Sequence, residues 1–191
     1  MIEETALPGV KLIAPRWFRD NRGAFCETYN QVSWAEHGLT ETFVQDNHSI
    51  SRQAGTVRGL HFQSPPNGQA KLLRVVAGAI WDIAVDIRRG SPTYGQWMGV
   101  ELSAENGRQL YIPAGFLHGF VTRAPNTEVL YKCSAVYAPA SEGAVRFDDP
   151  DLNIDWGIAP DQAILSDKDA AAGRFADLNS PFTHTDPKGA A

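Results

Sequence analysis

The sequence predicts an all-β fold, a jelly-roll barrel with short flanking helices, and three observations carry that expectation. Gly and Pro, numbering 17 and 12 among 191 residues, break the chain into short segments from end to end. Such spacing suits a β-sandwich or barrel better than alternating strands and helices. The segment Ala79–Ile87 alternates as a strand does: Trp81, Ile83, Val85 and Ile87 share one face, and Ile80, Asp82, Ala84 and Asp86 the other. No internal repeat or low-complexity linker divides the chain, so residues 1–191 are expected to form a single domain with a substantial core.

The remaining elements follow from local pattern. Strands are expected at Gly9–Ile13, Ala24–Tyr29, Thr42–Asn47, Val57–Phe62, Lys71–Val76, Trp97–Leu102, Gln109–Ile112, Gly119–Thr122 and Glu128–Tyr137. Asn30 is placed to cap a short helix over Val32–His37, and Gly38 to end it. A second short helix is expected after Ser166. Only Thr183–Ala191, polar and rich in Pro, Gly and Ala, reads as a loose tail.

Composition narrows the function classes. Hydrophobic residues make up 43% and charged residues 20%, ordinary for a soluble globular protein. The longest apolar stretches fall well short of the ~20 residues that cross a bilayer, so no membrane partner is expected. Met1–Pro8 has no basic-then-apolar signal pattern, which points to the cytoplasm. In that reducing compartment Cys26 and Cys133 are expected as free thiols. A net charge of −5 argues against a general nucleic-acid binder, while leaving room for one small anion held by a local Arg/Lys cluster. The chain lacks a phosphate-binding P-loop, a dinucleotide-binding glycine motif, a His-Glu-x-x-His zinc motif and a nucleophile elbow. Nucleotide hydrolysis, Rossmann-type redox and serine hydrolysis lose ground accordingly. What remains is a set of His, Lys, Tyr and Asp residues on predicted strands.

Two segments resemble the paired motifs of the cupin superfamily. The first runs from Gly55 through His61 and Lys71 to Gly78; the second is Pro113-Ala-Gly-Phe-Leu-His118-Gly. Metal-binding cupins supply His-x-His and a Glu from the first motif and another His from the second. Here Gln63 follows His61 at the second His position, and Lys71 stands roughly where the Glu would be. A lysine removes a negative ligand and adds a competing positive charge, so no metal is expected. Either histidine alone would read as a satisfied core residue. Two of them in strand-end motifs beside Arg58 and Lys71 make a site.

The resemblance then narrows. Arg22-Gly, Val44-Gln45-Asp46-Asn47, Arg58-Gly-Leu-His-Phe-Gln63, Lys71-Leu-Leu-Arg and Val85-Asp-Ile-Arg-Arg-Gly-Ser-Pro-Thr93 are similar to blocks of the dTDP-4-dehydrorhamnose 3,5-epimerase family. So are Leu102-Ser-Ala-Glu-Asn106, Ile112-Pro-Ala-Gly-Phe-Leu-His-Gly-Phe120, Tyr131-Lys-Cys133 and Leu165-Ser-Asp-Lys-Asp169, all in family order. The resemblance implies a cupin-type jelly roll that inverts C3 and C5 of a dTDP-linked 4-keto-6-deoxy sugar on the way to dTDP-L-rhamnose. Both carbons flank the C4 ketone. The chemistry so implied needs a base on one face, an acid on the other and positive charge near O4, and no metal or cofactor.

By resemblance His61 is the base, and its ordinary pKa of about 6.5 suits proton abstraction near neutrality. Asp169 would orient and charge that imidazole, although Ser166-x-x-Asp169 reads equally as a helix-capping pair. Tyr131 would be the proton donor and Tyr137 the ring that stacks on thymine. The even spacing of the two puts them on one side of a continuous strand, where aromatics are also common core residues. Lys71, on an otherwise apolar strand, would stabilise the C4 oxyanion. Arg22, Glu27, Gln45, Asp46, Asn47, Arg58, His118, Glu142 and Lys168 fall at positions that bind nucleotide, diphosphate or sugar. Arg58 and His61 lie three residues apart, which on a regular strand sends them to opposite faces; Gly59 is placed to host a bulge that turns both inward. The resemblance also implies a homodimer in which the segment from Arg22 to Glu27 crosses to the partner's site.

Asp82 and Asp86 share one face of the best strand, either solvated or interior; in the second case Asp82 is expected to partner His118. Asp148-Asp149-Pro150-Asp151 reads as a solvated turn. Cys26 stands where relatives often carry an aromatic. Three other functions compete: an epimerase acting at C3 or C5 alone, a metal-dependent cupin oxygenase, and a non-catalytic nucleotide-sugar binder. Gln63 and Lys71 disfavour the second, and a His/Asp/Tyr proton-transfer set disfavours the third.

Overall fold

The structure, a computed structural model, describes residues 1–185. Its strands are β1 (Ile2–Glu4), β2 (Lys11–Ile13), β3 (Phe18–Asp20), β4 (Gly23–Phe25), β5 (Gln45–Ser51), β6 (Val57–Gln63), β7 (Lys71–Ala77), β8 (Ala79–Asp86), β9 (Trp97–Ser103), β10 (Gln109–Ile112), β11 (Phe116–Thr122), β12 (Thr127–Cys133) and β13 (Glu142–Ala144). A six-stranded sheet runs β1-β2-β10-β7-β12-β5 and a five-stranded sheet runs β13-β6-β11-β8-β9, while β3 and β4 form a separate hairpin. The all-β expectation holds. No helix among the described residues is long and apolar enough to cross a membrane.

Alternation along β8 divides the apolar side chains as expected. Ile80 and Ala84 join Leu73, Val75, Leu110, Phe120 and Val129 in the core between the two sheets. Ile83 and Val85 join Leu117, Phe147, Leu152 and Trp156 in a second cluster, where the chain after β13 covers the outer face of the five-stranded sheet. Trp156 fits there because its indole N–H donates to the Phe147 carbonyl at 2.7 Å. Burying each such side chain stabilises the fold by roughly 1.5–3 kcal/mol. A third cluster, with Trp34, Leu39 and Leu72, packs α1 (Gln31–Ala35) against the six-stranded sheet. Asn30 caps that helix as expected, accepting the Val32 and Ser33 N–H groups.

Several boundaries differ, each for a local reason. β5 starts three residues later than the expected Thr42–Asn47, because its inward side chains are Gln45, Asn47, Ser49 and Ser51 and show no apolar alternation. β11 begins at Phe116 rather than Gly119, being buried on both faces. The expected strand Glu128–Tyr137 stops at Cys133, so Tyr131 and Tyr137 do not share a strand. Beyond Cys133 the backbone is tied by side chains instead of a ladder: Gln69 reaches Ala135, Gln63 reaches Val136 and Ala138, and Gln45 reaches Tyr137. The expected strand Ala24–Tyr29 is confined to β4, which pairs only with β3. The Asp148–Asp151 run is not simply a solvated turn. Asp149 is buried and accepts the N–H groups of Asp151, Leu152 and Phe175, which pins the C-terminal layer. Of the expected tail, Thr183 and His184 instead pair with Arg89; residues 186–191 lie outside the described residues. Cys26 and Cys133 are free thiols, as expected.

Candidate active site

Side chains from both sheets line a cleft of about 390 Å³. β6 supplies Arg58 and His61, β11 supplies His118, and the short helix α2 (Asp167–Ala170) adds Lys168 and Asp169. The opposite wall carries Lys71 of β7, Ser49 of β5 and Tyr131 of β12. Through His61, Lys71 and Tyr131 the cleft continues into a second region lined by Gln45, Asn47, Gln63, Tyr137 and Glu142.

Gly59 explains how β6 aims both Arg58 and His61 inward. His118 is opposite His61 and Phe120 opposite Arg58, so β6 spends one more residue than β11 over this stretch. The expected bulge is present. Gly59 has φ +122°, and a Cβ there would meet Gly119 Cα at 2.6 Å and the His118 carbonyl at 2.7 Å. Only glycine fits this close crossing.

His61 Nε2 lies 2.5 Å from Asp169 Oδ1. The Ser166 hydroxyl accepts the Asp169 N–H at 3.1 Å, so the cap and the dyad coexist. Burial works against the Asp169 carboxylate, but His61, Ser166 and the Gly59 N–H together outweigh it and hold its pKa below the ordinary value. The dyad therefore carries a carboxylate throughout the neutral range.

His118 Nε2 pairs with Asp82 Oδ1 at 2.8 Å, and Asp82 is fully buried, so its face is interior. Burial lowers the His118 pKa despite Asp82, and nearby Lys71 and His61 push the same way; the imidazole stays neutral. Burial also lowers the Lys71 pKa, against the pull of Cys133, Asp82 and Glu142. Among the described residues Lys71 Nζ has no salt-bridge partner, which leaves it available to an oxygen atom in the cleft. Burial raises the Tyr131 hydroxyl, Cys133 adds to the shift and Arg58 opposes it; the phenol stays protonated.

At the cleft mouth Glu142 accepts the Tyr137 hydroxyl at 2.8 Å and pairs with Lys168. Those contacts outweigh burial and keep its carboxylate ionised. Arg58 donates to Ser51 Oγ and the Ile50 carbonyl, each at 3.2 Å, which steadies its guanidinium at the cleft edge. No group of three or more His, Cys, Asp or Glu among the described residues is placed to hold a metal ion. Both active-site imidazoles already have their Nε2 committed to a carboxylate.

Of the residues expected at the site, His61, Asp169, Lys71, Tyr131, Arg58, His118, Lys168, Gln45, Asn47, Tyr137 and Glu142 converge on this cleft. Three do not. Arg22 is exposed in the β3–β4 turn and pairs with Asp20, and Glu27 is exposed beside Asn30. Asp46 points to the outer face and takes Lys132 Nζ at 2.9 Å, because strand alternation separates it from Gln45 and Asn47. One residue escaped sequence reasoning: Ser49, whose buried hydroxyl has no hydrogen-bond partner among the described residues. Its signal was available, two residues beyond Asn47 on the same strand face.

Fold and site together define a β-barrel with a carboxylate-supported imidazole facing a protonated phenol across a cation-bearing cleft, the equipment of a carbon acid–base isomerase. A model of the dTDP-4-dehydrorhamnose 3,5-epimerase family matches residues 4–177, and the chain belongs to that family. It is 50% identical over 175 residues to the dTDP-4-dehydrorhamnose 3,5-epimerase of Salmonella typhimurium, covering 90% of this chain and 93% of the relative. The structure superposes with a TM-score of 0.90 on the crystal structure of dTDP-4-dehydrorhamnose 3,5-epimerase from Elizabethkingia anophelis, at 46% identity and covering 94% and 98% of the two chains. It superposes at 0.92 on the Legionella pneumophila dTDP-6-deoxy-D-glucose-3,5-epimerase in complex with dTDP-4-keto-L-rhamnose, at 44% identity and covering 97% and 99%. The cupin-type jelly roll is thereby established.

Proposed function

We propose that this chain epimerises dTDP-4-dehydro-6-deoxy-D-glucose at C3 and C5, giving dTDP-4-dehydro-L-rhamnose for dTDP-L-rhamnose biosynthesis. The observation that carries the reading is the placement of His61, paired with Asp169, and Tyr131 on opposite sheets of one cleft. Inverting a carbon requires a proton to leave from one face and another to arrive at the opposite face. A base and an acid on one wall could only exchange, not invert.

In this reading His61 removes the proton next to the C4 ketone. Asp169 stabilises the imidazolium that forms, as the carboxylate of a His–Asp pair does. The enolate oxygen develops its charge beside Lys71, whose buried ammonium supplies fixed positive potential without solvent reorganisation. Tyr131 then delivers its proton to the far face of the carbon. Arg58 and Lys168 suit the diphosphate, Arg58 by a forked contact. Tyr137, with Gln45, Asn47 and Glu142 nearby, offers a face on which the thymine stacks.

The same proposal includes a cytoplasmic homodimer. Arg22 and Glu27 do not line their own cleft and lie on or next to a hairpin whose Phe18 and Phe25 leave 51% and 69% of their surface exposed. Exposed aromatics of this kind mark contact surfaces. The hairpin is set to reach a partner's cleft, where Arg22 would meet the nucleotide.

NMR of dTDP-4-keto-6-deoxyglucose in D2O with the protein and excess chelator tests the reading. Deuterium is expected at both C3 and C5, with the L-rhamno product accumulating. Exchange at one carbon alone would make this a single-site epimerase, and restoration of turnover only by added metal would sink the acid–base mechanism.

A further inference from the structure

Gln63 stands where a metal-binding cupin places its second histidine, yet its side chain does not open toward an ion. It is 5% exposed, and its amide is saturated. Both Nε2 hydrogens are donated, to the Asn67 carbonyl at 2.8 Å and the Val136 carbonyl at 3.2 Å, while Oε1 accepts the Ala138 N–H at 2.8 Å. An amide offers two donors at nitrogen and acceptor capacity at oxygen, so each end of this one is engaged. Two of the three bonds grip residues on either side of Tyr137. The flanking contacts point the same way. Gln45 Oε1 accepts the Tyr137 N–H and Gln69 Nε2 donates to the Ala135 carbonyl, both at 2.8 Å.

We propose that Gln63 is a positioning residue, the central member of a three-glutamine clamp that fixes the segment 134–138 and so holds the Tyr137 ring at the nucleotide end of the cleft. The clamp solves a specific problem. β12 ends at Cys133, and the chain must leave the sheet without losing the aim of a ring that otherwise rests on one hydroxyl contact to Glu142. Unpaired backbone groups in such a stretch would cost stability and admit alternative conformations. Amides rooted in β5 and β6 and in the turn before β7 supply the missing ladder. The consequence is a division of labour along β6: His61 serves the chemistry, and Gln63, two residues on, serves binding of the nucleobase. Gln45 belongs with Gln63, its side chain spent on the Tyr137 backbone and on Asn47 Oδ1. This inference rests on the function proposed above in taking a dTDP-linked sugar as the ligand.

The test uses full-length Gln63→Met, which keeps volume and removes all three bonds, and Gln63→Glu, which keeps an acceptor but turns a second carboxylate oxygen on the Asn67 and Val136 carbonyls. Gln69→Met, which frees one carbonyl, is the milder variant should Gln63→Met fold poorly. Amide hydrogen exchange of the 134–138 region without ligand is expected to quicken in both variants relative to wild type. Calorimetry with dTDP is expected to show affinity falling about tenfold in Gln63→Met, with KM rising in parallel and kcat within about twofold, the signature of lost uniform binding. In a Tyr137→Ala background Gln63→Met should cost no more than about twofold further, since the clamp then holds nothing of use. Faster exchange without weaker dTDP binding, an equal loss in both backgrounds, or a fall in kcat at constant KM would each overturn the role given to Gln63. Wild-type protein with no measurable dTDP affinity would instead contradict the proposed function and the clamp's role with it.

Discussion

At position 169 two local rules meet. A carboxylate three residues after a Ser fits a helix cap, and the same carboxylate can turn away to support an imidazole. Both descriptions hold, because the cap uses the Asp169 backbone N–H and the dyad uses its side chain. Asp169→Asn therefore leaves the cap's backbone contact in place while removing the charge that orients and stabilises His61. Turnover is expected to fall, by less than the ~10²–10⁴-fold that losing a positioned base costs, with the Tm shifted by only a few degrees. Steady-state kinetics beside a melting curve would check this; wild-type turnover in Asp169→Asn would remove the dyad from the mechanism. His61, Asp169, Lys71 and Tyr131 were legible because motifs carry their identity. Ser49 lies in no motif, and a block of sequence does not say that Asp46 alternates away from Gln45 and Asn47 toward Lys132.

β6 is the element on which most depends. Its bulge at Gly59 turns Arg58 and His61 to one side, an arrangement foreseeable from the three-residue spacing and the intervening glycine. Gly59→Ala adds a methyl group where backbone already lies within 2.7 Å, so β6 and β11 must separate. Overpacking of this sort costs about 1–3 kcal/mol, and the positive φ adds to it. A Tm lower by roughly 5–10 °C is expected in a protein of this size, together with loss of turnover as Arg58 and His61 leave register. An alanine variant with unchanged stability and activity would refute the close crossing. β8 could be found from alternation alone, because Asp82 and Asp86 interrupt one of its two apolar faces. β5 and β11 could not be bounded, the first because its inner face is polar for the sake of the cleft, the second because both its faces are buried. The end of β12 was hidden for another reason: the residues that terminate it, Gln45, Gln63 and Gln69, are remote in sequence.

At the scale of the whole molecule the proposed function makes the two sheets two sides of one reaction and gives the hairpin β3–β4 a use outside its own chain. Sedimentation is expected to give twice the mass of the 191-residue chain, and Arg22→Ala should weaken substrate binding without changing that mass. A fully active monomer would contradict the crossing hairpin. The central claim, that one sheet takes the proton and the other returns it, is tested most directly by comparing deuterium wash-in of His61→Ala and Tyr131→Phe under one set of conditions. His61→Ala should lose both exchange and inversion, since no enolate forms at a useful rate. Tyr131→Phe keeps the ring and lacks only the donor, so His61 can still remove a proton and return deuterium to the same face. Wash-in without full inversion is the expected result for Tyr131→Phe; a folded Tyr131→Phe protein that loses exchange as completely as His61→Ala would contradict the two-wall mechanism.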